Sequence, residues 1–217
     1  MIMWCTNCSR DIEQSANFCP WCGSVLGKYE TLPFEEMQLT FLRADLSGFT
    51  RMSEAMIAED VMAFLGEVFG IFSKTIESYK GTIYQVVGDE VVSIFGIRKE
   101  LDFAHHMAVL AAEDMFNKLF ECNKKEYLKN PVGLKVGIEI EPASVFNLQE
   151  DLRNVLIITD GFSKSQILQK NAETNTLLVG ENLYQATKAF FSYREVGEFT
   201  KDAMVVKGYE YKLKLKT

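Results

Sequence analysis

Two short stretches, far apart in the chain, constrain its fold more than anything else in it. One is Phe41-Leu-Arg-Ala-Asp45-Leu-Ser-Gly48-Phe49-Thr50; the other is Tyr84-Gln85-Val-Val-Gly88-Asp89-Glu-Val-Val-Ser-Ile-Phe95-Gly96. Each puts an aspartate where a strand is about to end. In the first, the strand-like run Leu39 to Ala44 precedes Asp45, and Ser47-Gly48 marks a turn. In the second, Gly88-Asp89 separates two β-branched runs, a hairpin signal. A carboxylate at a strand end, beside a glycine turn that opens a helix, suits a divalent metal carrying phosphates.

The periodicities between and after these blocks give an α+β chain. A strand is expected over 38–45, with Thr50 or Ser53 as a helix cap. Val61, Phe64, Leu65, Val68, Phe69, Phe72 and Ile76 recur at helical spacing and form one apolar face, a core face rather than a cofactor box. Gly81 is the expected end of that helix. Strands over 82–87 and 90–95 flank Gly88-Asp89, and a helix over 101–122 carries His105 and His106, which have no ligand partner at matched spacing. Further strands are expected over 134–140, 155–158, 176–179, 190–196 and 204–215, with helices over 162–172 and 181–187. A β-α-α-β-β-α-β order suits a ferredoxin-like split β-α-β sheet with helices on one face. There the first strand lies beside the Gly-Asp hairpin, which would bring Asp45 and Asp89 together.

Asp45-Leu-Ser-Gly48-Phe49-Thr50, Gly88-Asp89 and Ile94-Phe95-Gly96 resemble the class III nucleotidyl cyclases, the adenylate and guanylate cyclases. The resemblance runs from about Met37 to the C-terminus. It implies the same ferredoxin-like fold. It also implies that Asp45 and Asp89 hold two Mg²⁺ or Mn²⁺ ions, which activate the ribose 3′-hydroxyl of a nucleoside triphosphate for attack on its own α-phosphate. The turn Leu46 to Thr50 matches the family's triphosphate-binding segment, with Gly48, Phe49 and Thr50 at the phosphates. Family members work as homodimers or heterodimers, each site taking its metals from one subunit and its transition-state residues from the other.

The other half of the family's site does not match. The lysine that recognises adenine falls at Gln85, and the second base-recognition position falls at Leu156. In the block Thr159-Asp160-Gly-Phe-Ser163-Lys164-Ser-Gln-Ile167, Asp160 keeps the family's aspartate. Ser163 replaces the ribose-orienting asparagine, and Ile167 the transition-state arginine. Lys164 or Lys170 could reach round to replace that arginine, although an ammonium copies a guanidinium fork poorly. Glu141-Pro142 stand where glycine is usual, and Lys207-Gly208 resembles a late turn whose lysine contacts phosphate. No catalytic residue of that half is intact.

Residues 1–24 form a separate unit. Cys5-Thr-Asn-Cys8 and Cys19-Pro-Trp-Cys22 are two knuckles whose four thiolates can close round one structural Zn²⁺. Iron in place of zinc, and a redox pair at Cys19 and Cys22, are the alternatives. So short a segment needs the metal for its folding energy. Residues 25–36 read as a linker, and 37–217 as the cyclase-like domain.

The net charge of −7 offers no basic stripe for nucleic acid. No apolar run is long enough to span a membrane, and the start lacks a signal-peptide core, so the expected location is the cytoplasm. There, five cysteines point to metal or free thiols rather than disulfides. Losing one preorganised donor to a developing charge costs about 10²–10³ in rate. The expected function is therefore a cyclase homology domain, impaired alone, that acts as a regulatory or dimerising partner and can dock a protein through the zinc ribbon. The alternative is an active cyclase that makes a 3′,5′-cyclic nucleotide and pyrophosphate from ATP or another triphosphate.

Overall fold

The computed structural model describes residues 3–5, 7–12, 19–24, 34–54, 56–98, 103–124, 131–146 and 155–213. The chain divides into two compact units, Met1–Phe34 and Glu35–Thr217. In the first, β1 (Met3–Trp4) pairs antiparallel with β2 (Asp11–Ile12). Most of the expected linker lies outside the described residues. Its last part is strand, because β3 begins at Phe34 rather than at 38.

The second unit follows the order β3 (Phe34–Ser47), α1 (Phe49–Glu54), α2 (Ala58–Ser78), β4 (Thr82–Val87), β5 (Glu90–Phe95), α3 (Ala104–Cys122) and β6 (Gly133–Phe146). Then come β7 (Leu156–Ile158), α4 (Gly161–Asn171), β8 (Thr176–Gly180), α5 (Glu181–Thr187), β9 (Tyr193–Lys201) and β10 (Met204–Tyr211). The sheet runs β4-β5-β3-β6-β8-β10-β9, with β7 also on β6. Its first four strands, with α2 and α3 as crossovers, make the ferredoxin-like core.

The alternation along β3 assigns the two faces. Leu42, Ala44 and Leu46 join Phe64, Val68, Phe72 and Ile76 of α2 and Ala108, Ala111 and Met115 of α3 in the main core. Each large apolar side chain buried there contributes about 1.5–3 kcal/mol relative to exposure. Leu39 and Phe41 point the other way, into a second cluster with Ile94, Ala143, Val145 and Phe162. Phe162 belongs to α4, so the expectation of helices on one face is corrected: α2 and α3 cover one face and α4 the other. The close packing of α4 depends on Gly137 of β6, where a Cβ would fall 2.2 Å from the Ser165 carbonyl oxygen and 2.3 Å from the Gln169 nitrogen.

Three local expectations are also corrected. Neither Thr50 nor Ser53 is the cap of the first helix: both lie inside α1, which already begins at Phe49, and the Ser53 hydroxyl donates to the Thr50 carbonyl. The left-handed residue after α2 is Lys80 (φ 65°), while the Gly81 N–H donates to the Ile76 carbonyl, completing a Schellman turn one residue earlier than glycine placement suggests. The strand expected over 190–196 begins at Tyr193 and runs to Lys201.

Candidate functional site

β3 and β5 pair antiparallel with Asp45 opposite Glu90, so Asp45 stands one residue from the hairpin turn that carries Asp89. Gly88 (φ 60°) leads this two-residue turn between Val87 and Glu90, the glycine-first arrangement that matches strand twist. The Leu46 N–H donates to the Asp89 carbonyl at 3.3 Å, which fixes the turn against the end of β3. Burial, then the charges of Asp89 and Glu90, push the Asp45 carboxyl up to about 6. Two carboxylates crowded in this way fit a divalent cation, whose charge would restore ionisation.

Cations stand nearby. Lys135 on β6 and Lys170 in the last turn of α4 both act on Asp45 in the opposite sense to Asp89. Arg43 Nη1 lies 3.1 Å from Glu90 Oε1. Sequence reasoning assigned no role to Lys135. Its signal was the alternation of β6, which puts Lys135, Gly137, Glu139 and Glu141 on the face opposite the main core. Gly48 turns the chain at φ 84° into α1, a helix of six residues that begins with Phe49 and Thr50.

The remaining positions fall in other places. Gln85 is exposed on the edge strand β4, just after an irregularity in its pairing with β5. Leu156 is exposed on β7. Ser163 is exposed on α4, whereas Ile167 is 3% exposed and packs with Leu168, Ala172, Leu178 and Val206. Ser163 and Ile167 line a cavity of about 380 Å³ together with Asp160, Lys201 and Asp202. Lys164 is not free to substitute for the arginine, because it is ion-paired with the buried carboxylate of Glu141. Lys207 is paired with Glu195 at 3.1 Å.

Sequence reasoning also missed a buried acidic cluster. Glu139 Oε1 accepts the N–H groups of Ile140 (2.8 Å) and Leu183 (3.2 Å). It thereby caps α5, whose own N-cap, Gly180, has no side chain. Burial pushes this carboxyl up to about 7, against those two N–H bonds, with Glu141 adding to the rise and Lys164 opposing it. Asn182 Nδ2 donates to the Glu141 carboxylate (3.1 Å) and to the Ile140 carbonyl (3.0 Å). His105 bonds Thr40 at 2.9 Å, and His106 packs against Phe103, Phe190 and Phe191.

In the first unit the four thiols converge. Their sulfurs all lie within 4.8 Å of one another, with Cys5–Cys22 at 3.6 Å and Cys8–Cys19 at 3.5 Å. Zn–S bonds of about 2.3 Å give a tetrahedral edge of about 3.8 Å, so the set fits one zinc ion. The two knuckles repeat one backbone pattern. The N–H groups of Ser9 and Gly23 return to the carbonyls of Cys5 and Cys19, and both Ser9 and Gly23 have positive φ. Ser24 is a further residue missed in the sequence. Its hydroxyl lies 2.9 Å from Cys22 Sγ and 3.2 Å from Cys5 Sγ and holds both thiols down, Cys22 to about 6.

The family model described as the adenylate and guanylate cyclase catalytic domain matches residues 32–208. An adenylate cyclase of Anabaena cylindrica is 33% identical over 82 residues, which are 37% of this chain and 16% of that protein. Adenylate cyclase 1 of Rhizobium meliloti (strain 1021) is 36% identical over 58 residues, 27% of this chain and 9% of the relative. The matched stretches are thus a small part of either relative. Among solved structures, the adenylyl cyclase CyaB from P. aeruginosa superposes with a TM-score of 0.74 at 24% identity, over 83% of this chain and 96% of that one. Among the described residues no helix is long and apolar enough to cross a membrane.

Proposed function

The chain belongs to the adenylate and guanylate cyclase catalytic domain family, and on that premise we propose that it supplies one half of a nucleotidyl cyclase site. Asp45 and Asp89 hold Mg²⁺ or Mn²⁺, and the turn Gly48, Phe49 and Thr50 receives the triphosphate beside them. A partner of the same family contributes base recognition and the transition-state cation. The metal, when bound, neutralises phosphoryl oxygens and lowers the pKa of a coordinated hydroxyl. Asp45 and Asp89 bind and orient it, and the turn fixes the phosphate chain.

The observation that carries this reading is a contrast. Asp45 is raised by burial and then by the Asp89 charge, a crowding that a divalent cation would relieve, while Ile167 is buried in an apolar cluster and offers nothing to a developing charge. Alone, such a chain is a regulatory or dimerising subunit. The test is complementation with an adenylate cyclase domain that keeps its arginine but has its own metal aspartates changed to asparagine. Cyclic product is expected only from the mixture, and none from the mixture containing Asp45→Asn. A silent mixture would sink the proposal.

A second reading is turnover by the chain alone. It is favoured by Lys201, a cation that lines the same cavity as Ser163 and Ile167 and donates to Gln166 Oε1 at 3.2 Å. For the first unit we propose one structural Zn²⁺ and a docking role. The supporting observation is Trp21, 61% exposed with the Arg10 guanidinium 5.1 Å from its ring centroid. Deletion of residues 1–24 would abolish capture of a partner that docks there; unchanged capture would remove that role.

A further inference from the structure

We propose that Lys170 binds the phosphates of a metal-bound polyphosphate whose metal Asp45 and Asp89 of the same subunit would hold, so that the phosphate side of the site is complete within one chain. This rests on the reading of Asp45 and Asp89 as metal ligands and adds to it a residue that the family's motifs do not mark.

The geometry comes from the way α4 crosses the sheet. Its first residue, Gly161, sits on the ring of Phe41: a Cβ there would lie 2.1 Å from Phe41 Cδ2. Its middle, Ser165 to Gln169, lies on Gly137 of β6. The segment that follows it is joined to the end of β3, where Thr174 Oγ1 and Ser47 Oγ are 2.7 Å apart. The helix therefore runs alongside β3 from Phe41 toward Ser47. An 11-residue helix rises about 16 Å, and the strand from Phe41 to Ser47 about 20 Å, so the two lengths match.

Phe41, Arg43 and Asp45 alternate onto the face that α4 covers. Lys170, in the last turn, arrives at the Asp45 end of that face. Lys135 arrives at the same place from β6. Among the described residues neither lysine is within 4.0 Å of a carboxylate. Both nevertheless lie close enough to act on Asp45. Two lysines standing off a crowded carboxylate pair leave room for a polyanion whose metal faces the aspartates and whose free oxygens face the lysines.

The probe is inorganic tripolyphosphate with Mn²⁺, which needs no base recognition, titrated calorimetrically into the full chain at low salt. The wild-type chain is expected to bind it. Lys170→Ala should weaken binding about fivefold, the scale of one charge contact in water, and should flatten the dependence on salt. Lys170→Arg should restore both. Equal affinity and equal salt dependence in Lys170→Ala would overturn the role of Lys170 while leaving Asp45 and Asp89 in place. Failure of the wild-type chain to bind at all would overturn both readings. Loss of binding in Asp45→Asn, measured alongside, separates the two.

Discussion

Glu139 gives the most quantitative prediction. The residue is 3% exposed, and burial lifts its carboxyl from an ordinary value of 4.5 to about 7. Below pH 4.5 it is protonated in the folded and unfolded chain alike and costs nothing. Between 4.5 and 7 the unfolded chain releases the proton while the folded chain keeps it, so stability falls as pH rises. Above 7 the loss is complete. A difference of about two and a half pH units, at about 1.36 kcal/mol each, amounts to about 3 kcal/mol. Glu139→Gln keeps an oxygen for the N–H groups of Ile140 and Leu183 and cannot ionise. The gap in unfolding free energy between this variant and the wild type should therefore grow by about 3 kcal/mol from pH 4 to pH 8, in favour of the variant. Urea unfolding followed at 222 nm reads it from the second unit, which carries all the described helices. A gap that stays constant over that range would refute the reasoning.

Mn²⁺ affinity, followed by calorimetry, should fall about tenfold per pH unit below about 6, because the ion competes with the proton on Asp45; affinity independent of pH between 4.5 and 6 would remove Asp45 from the site. Gly137→Ala forces a Cβ into the α4 backbone and should cost about 2 kcal/mol or more by urea unfolding; a neutral result would mean that α4 does not pack on β6 this closely. A strong zinc chelator should change tryptophan emission, since Trp4 and Trp21 both lie in the first unit, and leave the 222 nm signal intact. Unchanged emission would argue against a metal at the four cysteines.

Much of this was legible in the sequence because it rests on local chemistry. Gly88-Asp89 announces a hairpin, the stripe from Val61 to Ile76 a core helix, and two Cys-x-x-Cys pairs a cluster of four converging thiols. The family blocks in turn bring Asp45 and Asp89 together. What escaped depends on registers between distant elements. Lys135 acquires meaning only when β6 lies beside β3, and Lys170, named in the sequence only as a stand-in for the arginine, is placed near Asp45 only when α4 lies over Gly137 on the second face. Glu139 is an ordinary strand glutamate until α5 begins above it at Gly180. The last turn of α2 misled for a different reason: Gly81 marked the region correctly, but Lys80 took the left-handed conformation.

The central claim is that this chain carries the metal half of a cyclase site without its transition-state half. The most direct measurement is turnover by the purified chain with ATP, GTP, CTP and UTP in Mn²⁺, with cyclic products read by mass spectrometry and Asp45→Asn as control. The account predicts no cyclic nucleotide from the chain alone. A cyclic product that disappears in Asp45→Asn would contradict it, and would mean that Ser163 and Ile167 are compensated within the homodimer.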